Sequence, residues 1–66
     1  MRLYVDTMDA TVVGVRSDGM VRLENEEWSR PTLQERRAIL YAATTQIAEL
    51  NELVELLQHA TVESPN

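Results

Sequence analysis

The residue types that most often carry out catalysis are sparse in this sequence. His59 is the only histidine, there is no cysteine, and no Ser or acidic residue accompanies His59 in a catalytic spacing. A lone imidazole near the C-terminal end of a helix is usually solvated or interacts with the helix dipole. The two glycines, Gly14 and Gly19, do not form a phosphate-binding loop. The sequence therefore predicts no enzyme activity, no catalytic residue and no cofactor.

Three glutamates near the C-terminus have a spacing that could bring carboxylates to a divalent cation. Glu49, Glu52 and Glu55 lie three residues apart, so in a helix they would share a broad face. No histidine accompanies them there, and the pattern is more typical of a hydrated helix face. We predict no metal site.

Two further groups of residues are candidates for binding. The densest acidic cluster, Glu24, Glu26 and Glu27, adjoins the only tryptophan, Trp28, and this combination could dock a basic protein. The alternative, which we favour, is that Trp28 covers the core above the helix N-terminus. Three arginines could contact an anionic ligand in a pocket between subunits: Arg16, Arg22 and Arg30.

Length and composition limit how such a chain can be stable. Its 66 residues allow one domain, and a domain this small buries little surface. Without cysteine it has neither disulfides nor thiolate zinc sites, so oligomerisation is the remaining common source of stability. The net charge of −5 disfavours nucleic acid as a partner. No signal-like or membrane-spanning apolar run is present, and we expect a cytoplasmic protein without a membrane partner.

The first part of the chain has the composition of β-strands. Runs of β-branched and aromatic residues predict a short antiparallel hairpin or three-strand meander, with strands at about residues 2–6, 10–16 and 20–25. A three-residue loop with Gly19 in a left-handed conformation would pair Val15 with Val21 and Val13 with Leu23. These four residues would then share the core face. Residues 26–31, which end in Pro31, are predicted to be a connector.

The second part predicts one long amphipathic helix over about residues 32–59, followed by a disordered tail at 61–66. Thr32 and Glu35 have the spacing of a capping box, and no Gly or Pro follows until Pro65. Apolar residues recur in a seven-residue pattern that is interrupted at Arg36. The predicted oligomer interface consists of Leu33, Leu40, Ala43, Ile47, Leu50, Leu53, Val54 and Leu57.

The predicted helix is too long for the strands to cover. At ~1.5 Å per residue it would extend about 42 Å, roughly twice the reach of six-residue strands. We therefore predict an α+β chain whose helix packs in a coiled-coil-like homo-oligomer. Two alternatives are a helix that folds back near Thr44 and Thr45, and a partner of different sequence.

These features favour a small acidic homo-oligomer that acts by protein–protein interaction, as a regulator or inhibitor does. One alternative is an oligomer that sequesters an anionic small ligand or nucleotide between subunits. Another is a structural assembly protein. On size alone, the chain also suits a product of a phage or mobile element.

Overall fold

The computed structural model describes the backbone of residues 1–63 and the side chains of residues 1–60. Four strands form one antiparallel sheet in the order β1-β2-β3-β4. They are β1 (Leu3–Val5), β2 (Ala10–Val15), β3 (Val21–Leu23) and β4 (Trp28–Ser29). A short 3₁₀ helix, Asp6–Met8, connects β1 to β2, and one long helix, α1 (Leu33–Glu63), follows the sheet. The α+β architecture is as predicted.

The loop between β2 and β3 forms as predicted. Val15 pairs with Val21, and the backbone N–H of Arg16 donates to the Met20 carbonyl at 2.9 Å. Gly19 has a φ of 90°, a conformation that favours glycine because any other side chain would be strained there. The loop therefore contains three residues and sets the register at this end of the hairpin.

The other end of the hairpin corrects our prediction. The register shifts between Val12 and Gly14, so that Leu23 pairs with Val12 instead of Val13. Val13 is thus an extra residue in β2, as in a β-bulge, so that Val12 and Val15, which are three residues apart, both lie on the sheet face toward α1. Val12 is fully buried, whereas Val13 is only partly buried.

The predicted connector is also partly wrong. Trp28 and Ser29 pair with β3 as a fourth strand, so only the segments around them link elements. Residues 24–27 form a tight turn in which Asn25 has a φ of 68° and the Glu26 N–H donates to the Leu23 carbonyl at 3.0 Å. Asn tolerates this left-handed conformation better than most residues do.

Helix α1 begins with the predicted capping box. The Thr32 backbone N–H donates to Glu35 Oε1 at 2.8 Å, and the Glu35 N–H donates to Thr32 Oγ1 at 3.1 Å. The helix is continuous through Thr44, whose hydroxyl donates to the Leu40 carbonyl at 2.9 Å. The fold-back alternative is therefore wrong. The helix also continues to Glu63, past the predicted end, and residues 64–66 of the predicted tail lie outside the described residues.

The core lies between one face of the sheet and the first part of α1. Leu3, Val5 and Val12 are buried there, and Val21 is buried nearby. Partly buried residues complete the packing: Met8, Leu23, Ala38, Ile39, Ala42 and Ala43. The helix residues in this packing all lie between Ala38 and Ala43, which is roughly two turns, and this small core leaves the rest of the helix outside it.

Candidate self-association surface

The sheet covers α1 only near its N-terminal end. From Thr44 to Ala60 every residue of the helix is exposed. The molecule measures 50 × 22 × 19 Å, and its length comes from this projecting helix. No helix among residues 1–63 combines the length and apolar character needed to cross a membrane.

Most of the predicted interface residues lie on the exposed surface of this helix. We call seven of them the α1 stripe, and each is between 49% and 60% exposed: Leu33, Leu40, Ile47, Leu50, Leu53, Val54 and Leu57. The eighth, Ala43, is instead half-buried and packs against the core. The stripe extends along α1 from its first turn to the part of the helix that the sheet does not cover. Around the helix axis, it lies next to the face on which the sheet packs.

Two apolar grooves, each about 220 Å³, extend the α1 stripe onto the sheet. The first lies beside the N-terminal half of α1 and is lined by Val15, Gly19, Val21, Pro31, Arg36, Ile39 and Leu40. The second groove lies farther along α1 toward its C-terminus and is lined by Met1, Arg2, Leu3, Ala43, Gln46, Ile47 and Leu50. Sequence reasoning missed the sheet residues of both grooves, because only the packing of the sheet on α1 brings them beside Leu40 and Ile47.

The acidic cluster does not form a common site with the Trp28 ring. Glu24, Glu26 and Glu27 occupy the exposed turn before β4, and Glu24 forms an ion pair with Arg2 at 2.7 Å. Trp28 pairs with Arg22 on the sheet face opposite α1, and its ring packs against Gly14 and Arg16. Trp28 therefore does not cover the helix N-terminus, and that interpretation was wrong.

Two of the three arginines considered as anion contacts converge on one aspartate. Arg16 Nη2 lies 2.7 Å from Asp18 Oδ2, and Arg30 Nη1 donates to the Asp18 carbonyl at 3.4 Å. The hydrogen bond from Arg16, together with one from the Met20 N–H, lowers the pKa of Asp18 from 3.8 to about 2. The Arg16 guanidinium also lies 5.2 Å from the centre of the Trp28 ring, a cation–π distance. These contacts fix the loop and occupy Arg16 within the chain.

The residues considered above for catalysis and for metal binding are exposed to solvent. His59 is exposed, as are Glu49, Glu52 and Glu55. Within the described part of the chain, no three His, Asp or Glu side chains form a group that could hold a metal ion. The α1 stripe and its two grooves are therefore the surface with the clearest physical reason to bind something.

Comparison with protein-family models, curated proteins and solved structures gave no match.

Proposed function

We propose that this chain is a small non-catalytic protein that works as a homo-oligomer, with the α1 stripe as the surface that joins its copies. The observation that carries the proposal is the row of large apolar side chains on α1, which continues where the sheet no longer covers the helix. Contiguous apolar surface of this kind is uncommon on proteins that act as monomers and usually marks an interaction site.

The free energy of burial supports this proposal. Covering a fully exposed Leu, Ile or Val gains roughly 1.5–3 kcal/mol, and small domains have a total stability of only ~5 kcal/mol. The stripe residues are already about half covered by the helix itself, so each gains less than that. Several of them together would still contribute as much stability as the small core between the sheet and α1.

A second copy is the partner that best matches this surface. It supplies an apolar stripe of the same length, and a two-fold arrangement covers both stripes at once. The assembly would then act on another protein by binding, as a regulator or inhibitor in the cytoplasm does. The acidic charge of −5 favours a target with a basic surface, because opposite charge speeds encounter.

The test compares two variants that introduce the same charge on different sides of α1. Leu50→Asp places a carboxylate in the stripe, and Ala48→Asp places one at an exposed position outside it. We expect Leu50→Asp to weaken association at least about tenfold, since a buried leucine contact is lost on each chain. Ala48→Asp should keep the wild-type mass in light scattering. If both variants and the wild type have the mass of one chain and the wild type is folded, the proposal is wrong.

A further inference from the structure

We infer that two copies pair along the α1 stripe in antiparallel orientation, with Leu40 of one chain level with Leu50 of the other. This inference rests on the proposed function and adds the direction and register of the helices. In this register Leu33 lies level with the partner's Leu57, and Ala43 with the partner's Ile47. Three features of the chain bear on the direction: the first permits the antiparallel register, and the other two favour it over a parallel pair.

The first feature is the spacing of the seam, which consists of Leu33, Arg36, Leu40, Ala43, Ile47, Leu50, Val54 and Leu57. The steps along the seam alternate between three and four residues. Read from Leu57 backwards, the steps follow in the same order as from Leu33 forwards. Two helices in opposite directions therefore meet at every level of the seam, as knobs-into-holes packing requires, and so do two parallel helices in register.

The second feature is the charge at the position that interrupts the seam. In a parallel, in-register pair, Arg36 would face the partner's Arg36, and two like charges would approach within the interface. In the antiparallel pair Arg36 is level with the partner's Val54 and beside the partner's Glu55. The antiparallel pair thus avoids an approach of two like charges within the interface.

The third feature is the position of the sheet. Each sheet packs on residues 38–43 of its own helix and forms the groove that is lined by Val15, Val21 and Pro31. Arg36 and Leu40 line that groove, and in the antiparallel pair they are level with the partner's Val54 and Leu50. The groove of each chain therefore receives the exposed half of the other helix. A parallel pair would place both sheets at the same end and leave both exposed halves without a groove.

Disulfide trapping distinguishes the two orientations, and the chain suits this method because it has no cysteine of its own. We would prepare Leu40→Cys and Leu50→Cys as separate full-length variants, with Ala48→Cys as a control outside the seam. Each variant is first checked by sedimentation for association. The variants are then oxidised alone and as an equimolar mixture, and the masses of the disulfide-linked species are determined.

The antiparallel pair predicts a disulfide between Leu40→Cys and Leu50→Cys chains in the mixture and almost none within either variant alone. Two copies of Cys at position 40 would be ten residues apart along the axis, about 15 Å, and a disulfide needs Cα atoms within ~7 Å. If either variant alone forms disulfide-linked dimers in a yield that equals or exceeds that of the mixture, the antiparallel arrangement is wrong. Such a result would leave self-association intact. Absence of association in the wild type would instead overturn the proposed function and this inference with it.

Discussion

Gly14 gives the clearest residue-scale requirement in the sheet. A Cβ atom at this position would lie 2.9 Å from the Trp28 ring, closer than real Cβ contacts allow. We expect Gly14→Ala to displace the ring, to lower stability by about 1–3 kcal/mol and to move the Trp28 fluorescence to longer wavelength. Because Trp28 is the only tryptophan, the emission reports this site alone. In a Trp28→Ala background the same change should cost much less, and an equal cost would show that the ring contact is not the cause.

Asp18 provides a pH-dependent prediction. Its pKa is lowered to about 2 chiefly by the hydrogen bond from Arg16, so the folded state favours the ionised carboxylate. The resulting stabilisation is fully present above the ordinary pKa of 3.8 and is lost as the pH falls toward 2. A carbon-detected NMR titration of Asp18 should give a midpoint near 2, and Arg16→Gln should return it toward 3.8. A wild-type midpoint near 3.8 would contradict the observed contact.

For single residues, the sequence predicted the conformation of Gly19 correctly and the burial of Val13 wrongly, and each outcome has a physical reason. The left-handed Gly19 was predictable because few other residues adopt that conformation, and its loop length follows from the pairing of Val15 with Val21. The choice of Val13 over Val12 for the core was wrong because two adjacent valines satisfy the alternation equally well. Gly14 was the available signal, since a glycine inside a strand often accompanies a bulge or the close approach of another group.

Among the elements, α1 owes its defined start to the two hydrogen bonds between Thr32 and Glu35. Replacement of Thr32 by Ala removes an acceptor for a helix N–H and should lower the unfolding free energy by about 1 kcal/mol. Thr45→Ala is the matched control, because Thr45 is exposed in the middle of the helix, where alanine is the better helix former. Both variants would be unfolded in urea at one protein concentration, since association shifts the midpoint. Equal stability of the two variants would contradict the role of the cap.

The elements differed in how far the sequence could predict them. α1 was predictable because a capping box, a seven-residue apolar pattern and the lack of Gly and Pro all indicate the same structure. β4 was missed because it has two residues, too few to show a period. The asparagine in the turn before it, Asn25, was the usable signal for a second hairpin, because asparagine tolerates the left-handed conformation that it has there.

For the whole molecule, the decisive feature is that the helix is much longer than the sheet that packs on it. The sheet packs on residues up to Ala43, and the helix continues to Glu63. The exposed part of the stripe was predictable, since the lengths of the strands and the helix and the apolar periodicity of the helix follow directly from the sequence. The two grooves were not, because they depend on which strand edges lie beside Leu40 and Ile47 after the sheet packs on α1.

Sedimentation equilibrium of the wild-type protein over a range of micromolar concentrations tests the central claim most directly, namely that another copy covers the α1 stripe. We predict a mass of at least twice that of the 7.5 kDa chain, with dissociation only at the lowest concentrations. Circular dichroism of the same samples would show whether the helix is formed. A fully helical, cooperatively folded single chain at every concentration would contradict the account.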